Sequence, residues 1–328
     1  MRTVMYAFGS RGDALRFILL ARELIRSGHD VVVCGFPGPA ATAEAAFVPY
    51  AACGPEEVAG LVSRADLVLA TGGGTAWREA AEAAGIRARY VAFTPSLYFQ
   101  PGRWWWSRAR VSLEGMGFGA EPVLAADEVV APLPAELRGR VAQVAAIVPG
   151  GGVKLPDEVE SFLEAGEPPV YLGFGGMPFR DPALLTRDLL GAVRGLGVRA
   201  IVTRGAAGIG REGVRDVLVT DELPHATLFQ RCAVVVHHGG PGTTALACRA
   251  GVPQIVVPHL AHQHFWASRI AALGLGRRIP SRHLTAAALH DRLRRVLPDE
   301  QCAFRARVMA ERLRGRNGST EAADAIVA

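Results

Sequence analysis

No run of apolar residues in this 328-residue sequence reaches the ~18 residues that a membrane-spanning helix needs. The first apolar segment, Thr3–Phe8, is followed at once by glycine and charged residues, a pattern that does not match a signal peptide. We therefore expect a soluble, cytoplasmic chain with no stable insertion into a membrane.

Cysteine is scarce. The five cysteines are an odd number, and their spacing fits neither a zinc site nor a disulfide framework. Reduced thiols of this kind are typical of a cytosolic protein. They are Cys34, Cys53, Cys232, Cys248 and Cys302.

The chain also lacks a strong charge of one sign. Its 36 Lys and Arg residues exceed its 31 Asp and Glu residues by five, and the basic residues are scattered along the sequence. A nucleic-acid-binding protein is expected to concentrate them in a stripe or block. We expect no nucleic-acid partner.

What the sequence does contain is an alternation of short apolar strands with helical segments. The length of 328 residues and the 50% hydrophobic composition allow two domains, each with its own core. Alternation of this kind predicts a doubly wound α/β fold, with helices on both faces of a parallel sheet. Ligands of such sheets collect at the carboxyl ends of the strands. The strands predicted in the first half are Arg2–Phe8, His29–Gly35, Phe47–Ala51, Asp66–Ala70 and Arg89–Phe93, and the helices are Ala14–Arg26, Glu56–Ser63 and Thr75–Ala84.

The alternation stops between Thr94 and about Lys154 and then resumes. Proline and glycine are dense at Val148–Pro156, which predicts a linker there. We therefore divide the chain into domains of residues 1–150 and 151–328.

A glycine-rich turn follows the apolar run Val234–Val236. Gly239, Gly240 and Gly242 remove the Cβ atoms that would keep a ligand away from the backbone. Thr243 and Thr244 follow at the predicted start of a helix, where free N–H groups and the helix dipole attract phosphate. The alternative is an ordinary strand-to-helix turn without a ligand.

This stretch, His237–Thr244, reads HHGGPGTT and resembles the HHGGAGTT signature of bacterial natural-product glycosyltransferases of the GT-B fold. It departs from that signature only at Pro241. The segment Gly9–Asp13 matches the GSRGD loop of the same family, and Pro169–Pro178 matches its PVYVGFGSMP strand.

The resemblance implies two facing Rossmann-like domains, an acceptor-binding domain at 1–150 and a nucleotide-sugar-binding domain at 151–328. It implies an inverting, metal-independent hexosyl transfer from a UDP- or dTDP-sugar to a hydroxyl of a small-molecule natural product, as in antibiotic biosynthesis. The nucleotide sugar is a co-substrate, so no cofactor is expected, and the chain is expected to be a monomer or homodimer.

The resemblance also implies which residues bind the donor. The loop Asp221–His225 would frame the nucleobase, and His262 with Gln263 would contact the sugar, although the family usually has aspartate at position 262. Gly176 stands where relatives have serine. The predicted donor-binding set is Ser10, Arg11, Gly175, Leu223, His237, Gly239, Gly240, Gly242, Thr243, His262 and Gln263.

The chemistry of transfer assigns two further tasks. Breaking the bond to the leaving group places negative charge on pyrophosphate, which the helix start at Gly242–Thr244 and His237 could stabilise. The acceptor hydroxyl must lose a proton to a base. Asp13 is the best-placed carboxylate, and relatives use an aspartate of this loop in that role; the alternative is that Asp13 caps a helix beginning at Ala14.

Three other features keep two interpretations each. The histidines at 259, 262 and 264 could suggest a metal, but their spacing fits no strong zinc pattern. Trp104, Trp105 and Trp106 could line an acceptor cleft, or could cover the first domain or touch a membrane. Thr71–Thr75 could hold an anion, but closer packing of a helix on the sheet is favoured.

Two other functions are alternatives to glycosyl transfer. A catalytically silent nucleotide-sugar-binding partner of another transferase would explain the short acceptor region, although the presence of Asp13 speaks against it. An NAD-dependent enzyme is less well supported, because the first strand leads into GSRGD and not into G-x-G-x-x-G.

Overall fold

The computed structural model describes residues 1–7, 10–54, 57–71, 76–93, 122–133, 139, 141–206 and 208–328, without the side chains of residues 76, 78 and 261. These residues form two compact units. The first comprises Met1–Val148 together with Arg316–Ala328, and the second comprises Pro149–Gly315.

The first unit is built on a parallel sheet. Its described strands are β1 (Arg2–Ala7), β2 (Asp30–Gly35), β3 (Tyr50–Ala52), β4 (Leu67–Ala70), β5 (Arg87–Ala92), β6 (Val123–Ala125) and β7 (Ala142–Val144). Their order across the sheet is β3-β2-β1-β4-β5-β6-β7, and every pairing is parallel. The chain reverses its direction of winding at β1, which is the kind of switch point where open α/β sheets bind ligands.

Helices cover the sheet of the first unit. They are α1 (Arg11–Arg26), α2 (Ala40–Ala45), α3 (Val58–Val62), α4 (Ala76–Ala83) and α12 (Gly318–Val327). Phe17, Leu20 and Leu24 of α1 are fully buried against Met5 and Val33 of the sheet. Burying one such side chain contributes about 1.5–3 kcal/mol, so this face of α1 anchors the unit.

The last helix, α12, belongs to the first unit, although the chain reaches it only after the second unit is complete. Ile326 and Ala322 lie in the same core as Phe17. Arg89 of β5 donates hydrogen bonds to the carbonyls of Ala325 and Ile326 at 2.8 and 3.0 Å. The predicted division at 150/151 lies two residues from the structural boundary, but residues 316–328, predicted in the second domain, pack with the first.

The second unit has its own parallel sheet. Its described strands are β8 (Val170–Gly173), β9 (Ala200–Thr203), β10 (Val217–Thr220), β11 (Val234–His237), β12 (Gln254–Val256) and β13 (Gly276–Arg278), in the order β10-β9-β8-β11-β12-β13. The helices are α5 (Asp157–Glu164), α6 (Pro182–Leu196), α7 (His225–Leu228), α8 (Pro241–Ala250), α9 (Ala261–Ala272), α10 (Ala286–Val296) and α11 (Glu300–Leu313). The central strands are apolar on both faces, as expected for a sheet covered by helices on both sides.

Several boundaries differ from those that the sequence predicts. Helix α1 begins at Arg11, three residues before the predicted start, because Ser10 is its N-cap. The strand predicted at Phe47–Ala51 begins only at Tyr50, since Phe47 has a φ of 55° and cannot extend a strand. Short elements with weak periodicity were not predicted: α2, β6, β7, α5, β13 and α12. Among the described residues, no helix has both the length and the hydropathy to cross a membrane.

Candidate functional site

The glycine-rich turn lies at the carboxyl edge of the second unit's sheet. It joins the end of β11 to the start of α8, and β11 lies between β8 and β12, in the interior of the sheet. Gly239 has a φ of 88°, and a Cβ there would lie 2.8 Å from Cγ1 of Val256. Both the backbone conformation and the space therefore require glycine at this position.

The turn delivers the N-terminus of α8 to this edge. Gly240 is the N-cap, no side chain caps the helix, and Pro241 occupies its first turn. Thr244 is buried, and its Oγ1 donates to the carbonyl of Gly240 at 2.9 Å, so this hydroxyl is used within the turn. The amides of Gly242 and Thr243, in the first turn, have no intrahelical acceptor. Free amides and the helix dipole together make this end suitable for an anion.

His237 lies at the end of β11, directly before the glycine-rich turn. Its side chain is completely buried at the end of β11. Nδ1 accepts a hydrogen bond from the Gly239 amide at 3.1 Å, and Nε2 lies 2.9 Å from Oε1 of Gln254. The amide donates, so Nδ1 is unprotonated and Nε2 carries the proton. Burial lowers the pKa of His237 to about 4, which keeps the ring neutral. His237 thus holds the turn in shape with both ring nitrogens, and its predicted contact with the donor stays a prediction.

His238 is the histidine that lies beside the N-terminus of α8. Its ring lies between Gly175 and Gly240, since a Cβ on Gly240 would come within 2.5 Å of Nε2 and a Cβ on Gly175 within 3.4 Å of Cε1. The buried Nδ1 has no hydrogen-bond partner among the described residues. Burial, and then the neighbouring histidines, lower the pKa of His238 to about 3, so the ring is neutral. The sequence showed two adjacent histidines, but it could not tell which one faces the core.

The loop after β8 supplies a second wall beside His238. Gly175, which the resemblance singled out, has a φ of 55°, and its carbonyl accepts a hydrogen bond from the Ala206 amide at 2.9 Å. A Cβ on Gly205 would lie only 2.4 Å from that carbonyl oxygen. The close approach of two glycine turns thus brings the loops after β8 and β9 together. Leu223 is buried in the connection between β10 and α7.

Gln263, which is predicted to contact the sugar, lies in the first turn of α9. Its carboxamide is buried at the start of α9, where Oε1 accepts from the amides of His259 and Leu260 at 2.7 and 2.9 Å. Its Nε2 lies 3.3 Å from Sδ of Met177. Gln263 therefore caps α9 and attaches it to the loop after β8. His262 lies next to it and is partly exposed, so its predicted contact with the sugar stays a prediction.

A buried polar group that sequence reasoning missed lies beneath this edge. Oη of Tyr171 is 2.8 Å from Oγ1 of Thr203 and 2.7 Å from Nε2 of His225. Gly173 makes room for it, since a Cβ there would lie 2.1 Å from Oη. Burial lowers the pKa of His225 to about 4 and raises that of Tyr171. The three side chains join β8 and β9 to His225, which is the first residue of α7 and the last residue of the predicted nucleobase loop.

Asp13, in the first unit, belongs to the capping box of α1. Ser10 is the N-cap, and the Asp13 carboxylate accepts from both the amide and the hydroxyl of Ser10 at 2.9 Å. Asp13 is thus the third residue of the helix. The capping interpretation, in which Asp13 itself is the N-cap, is wrong. Its other oxygen lies 2.8 Å from Nη1 of Arg16. Ser10 and Arg11 lie in the first unit, and their contact with a donor stays a prediction.

Some predicted site residues lie outside the described residues. These are Trp104, Trp105, Trp106, Gly9 and Gly72–Thr75. Among the residues that the structure describes, no group of three or more histidine, cysteine or carboxylate side chains could hold a metal ion. His259, one of the three clustered histidines, packs edge-on against the ring of Phe179 at 4.9 Å.

Comparison with known proteins identifies the family. Residues 199–328 match the C-terminal domain of the erythromycin biosynthesis protein CIII-like family. The glycosyltransferase GtfE of Amycolatopsis orientalis is 45% identical over 161 residues, which are 49% of this chain and 39% of GtfE. GtfC from the same organism is 30% identical over an alignment of 358 positions that covers 84% of this chain and 85% of GtfC. The chain belongs to the bacterial natural-product glycosyltransferases of the GT-B fold.

The fold agrees with this family. The glycosyltransferase VinC, solved in complex with dTDP, superposes with a TM-score of 0.74 at 21% sequence identity, and the match covers the whole of this chain and 98% of VinC. At this identity the similarity shows the fold alone, two Rossmann-like parallel-sheet units. The alignment with GtfE spans well under two thirds of that protein's length.

Proposed function

We propose that the chain is an inverting glycosyltransferase that moves a sugar from a UDP- or dTDP-sugar to a hydroxyl of a small-molecule natural product. The observation that carries the proposal is the turn from His238 to Thr243, in which a neutral histidine with an unused ring nitrogen lies beside an uncapped helix start. Membership of the glycosyltransferase family supports the same reaction.

In the proposed reaction the acceptor oxygen attacks the anomeric carbon as the bond from that carbon to the diphosphate oxygen breaks. A single displacement of this kind inverts the configuration. The leaving diphosphate gains negative charge, which the amides of Gly242 and Thr243 and an N–H of His238 would stabilise. These donors are already held in place by the turn, so they need little reorganisation during the reaction. No metal ion is required for this step.

The proton of the acceptor hydroxyl would go to the carboxylate of Asp13. General-base catalysis of this type contributes about 10²–10⁴-fold. The carboxylate is held in one orientation by Ser10 and Arg16, which suits a base that must meet the hydroxyl at a fixed position.

The nucleotide assignment has two supports. The first is that the VinC structure contains dTDP. The second is that the buried Leu223 and the hydrogen bond between Tyr171 and His225 anchor the predicted nucleobase loop to the sheet. Titration calorimetry of the full chain with dTDP, UDP and NAD tests it. We expect saturable binding of at least one nucleoside diphosphate and none of NAD. Binding of NAD alone would contradict the proposal.

Transfer is tested by mass spectrometry after incubation with dTDP- and UDP-sugars and a panel of hydroxylated natural products. A product heavier by one sugar residue, absent when the donor is omitted, supports the enzyme.

One observation favours a second function, that of a catalytically silent nucleotide-sugar-binding partner of another transferase. Both oxygens of Asp13 already have donors, at Ser10 and at Arg16. A silent partner would bind dTDP or UDP in the calorimeter but would glycosylate no acceptor, while increasing turnover by a second transferase added to the assay. This combination of results separates the two functions.

A further inference from the structure

One short segment carries as much positive charge as the whole chain. Residues 276–296 contain six arginines and one aspartate, a net charge of +5 (6 − 1). The chain as a whole also has a net charge of +5, so the remaining residues balance at 30 basic and 30 acidic side chains. The basic residues are therefore not evenly scattered along the chain, contrary to the expectation from the sequence, because this segment concentrates six of them.

The segment encloses a cavity at the edge of the second unit's sheet. The cavity has a volume of about 370 Å³, which falls within the ~300–1,000 Å³ typical of small-ligand sites. It is lined by Ala271, Gly276, Arg277, Arg278, Arg292 and Arg295. Arg277 and Arg278 come from the edge strand β13, whereas Arg292 and Arg295 lie one turn apart on α10. Two separate elements, a strand and a helix, thus bring arginines to one space.

The carboxylates around the cavity neutralise only part of this charge. Asp299 lies 3.2 Å from Arg277, while Asp291 is shared by Arg292, Arg295 and Arg294 at 2.7, 3.0 and 3.4 Å. Among the described residues, Arg278 contacts the hydroxyl of Ser268 at 3.4 Å and no carboxylate. Five arginines against two aspartates leave a local net charge of +3 (5 − 2). The positive field reaches His264, whose pKa is lowered first by burial and then by Arg278 and Arg282.

The side chains are exposed enough to reach a ligand. The exposed fractions are 51% for Arg277, 40% for Arg292 and 59% for Arg295. A guanidinium group presents its donors in a planar fork that fits phosphate oxygens two at a time. Charged side chains also protect sheet edges against pairing with other chains, which is the purely structural explanation of Arg277 and Arg278. That explanation does not account for Arg292 and Arg295, which lie on a helix.

We propose that this arginine cavity binds a phosphate group, at a site two strands away from the α8 turn. Strand β13 pairs with β12, and β12 pairs with β11, whose end carries that turn. Inorganic pyrophosphate is a suitable probe, because a diphosphate offers more oxygens to the arginines of β13 and α10 than a single phosphate does. The proposal does not depend on the transfer reaction.

The test is calorimetric titration of the full chain with inorganic pyrophosphate, at fixed ionic strength and with saturating dTDP to fill the α8 turn. We expect one saturable site. The variant Arg292→Gln/Arg295→Gln should weaken its affinity at least tenfold, and dTDP affinity should be unchanged. The matched control is Arg294→Gln, because Arg294 lies on the same helix and contacts Asp291 but does not line the cavity. It should weaken pyrophosphate binding less than threefold.

The double variant removes two positive charges and Arg294→Gln removes one. If the logarithmic loss in Arg294→Gln is half that of the double variant or more, only the net charge matters, which would overturn a built site. If dTDP fails to bind, pyrophosphate binding that remains sensitive to Arg292→Gln/Arg295→Gln but not to Arg294→Gln still supports the cavity. The failure of the proposed function is thus distinguishable from the failure of this inference.

The phosphate could come from a free small molecule or from a lipid headgroup, and a second arm separates these sources. Vesicles of phosphatidylglycerol and of phosphatidylcholine are sedimented with the protein. Binding to phosphatidylglycerol alone, lost in Arg292→Gln/Arg295→Gln and retained in Arg294→Gln, assigns the phosphate to a lipid headgroup. Pyrophosphate binding without vesicle binding assigns it to a free molecule. The absence of both pyrophosphate binding and vesicle binding would overturn the proposal.

Discussion

The guanidinium of Arg16 is buried and forms an ion pair with Asp13, with Nη1 2.8 Å from Oδ1. Its Cζ atom also lies 4.6 Å from the centre of the Phe93 ring, and that ring packs edge-on against Phe17 in the core. A buried arginine is costly unless it is paired, so Asp13 has a structural task in addition to any chemical one.

This pair changes what the substitution Asp13→Asn is expected to do. Asparagine could replace aspartate in capping, but it cannot neutralise Arg16, so we expect a loss of about 1–3 kcal/mol in the free energy of unfolding. Turnover should fall by a factor of the order of 10² or more, with dTDP affinity unchanged. Denaturant unfolding and steady-state kinetics measure the two effects.

The double variant Asp13→Asn/Arg16→Met separates the two roles. Removing both charges should recover most of the lost stability, because no unpaired charge stays buried, but it should not recover turnover. Recovery of turnover together with stability would show that Asp13 acts only through the fold. The exposed Arg26, which pairs with Glu23 on the same helix, provides the control variant Arg26→Met, which should change neither quantity measurably.

The two adjacent histidines should respond in opposite ways to substitution. His238→Ala removes a ring that lies beside the helix start, so dTDP or UDP should bind about tenfold more weakly, while the melting temperature changes little. His237→Ala leaves the backbone amide of Gly239 and the side-chain Oε1 of Gln254 without their buried partner, which should cost about 1–3 kcal/mol of stability. Calorimetry and thermal unfolding of both variants measure this. Loss of nucleotide affinity in His237→Ala at unchanged stability would reverse the assignment.

Stability should decrease as the pH falls from about 6.5 towards 4. His225 and His237 have pKa values of about 4 in the fold against 6.5 when unfolded, so the unfolded chain binds more protons in this window. Their contribution is fully present above pH 6.5 and is lost as the pH drops through the window, by an amount on the order of 3 kcal/mol for each ring. Urea unfolding as a function of pH measures the slope.

The variant His237→Gln should flatten this pH dependence, because glutamine does not titrate. The exposed His283 provides the control variant His283→Gln, which should leave the slope unchanged. A slope that is identical in all three proteins would place the proton uptake elsewhere.

Transfer activity should survive chelation. If the diphosphate charge is met by the α8 helix start and His238, EDTA should leave the initial rate within experimental error. Loss of activity with EDTA and recovery with Mn²⁺ or Zn²⁺ would favour the metal interpretation of the histidines at 259, 262 and 264. The assay is the mass-spectrometric transfer reaction with and without the chelator.

Removing residues 316–328 should damage the first unit only. Helix α12 accepts a hydrogen bond from Arg89 and packs on α1, so its loss exposes the apolar side chains of the first unit's core. We expect a lower melting transition for that unit and unchanged dTDP affinity in the second. A fragment designed to test nucleotide binding should therefore end at Gly315, because a fragment that runs to the chain end carries an unpartnered helix. Loss of dTDP binding in the truncated chain would contradict this division.

The element types followed from the sequence wherever the apolar pattern was long or strongly β-branched. The β-branched run Val234–Val236 predicts a covered strand, and α1 has an amphipathic pattern that ends at Ser27. Short elements escaped prediction because three residues such as Gly276–Arg278 or Ala142–Val144 show no periodicity. They are strands only because a neighbouring strand provides hydrogen-bond partners.

The sequence by itself determined the family, the parallel-sheet architecture and the place of the glycine-rich turn, because local residue types decide strands, glycine turns and helix starts. Only the tertiary structure decided which histidine faces the core, since successive residues of a strand point to opposite faces and the packing selects one of them. It also decided that Gln263 caps a helix, that Asp13 neutralises a buried arginine, and that arginines from a strand and a helix line one cavity. Each of these depends on burial or on contacts between elements that are distant in the chain. The local pattern of residues specifies neither the burial nor the contacts.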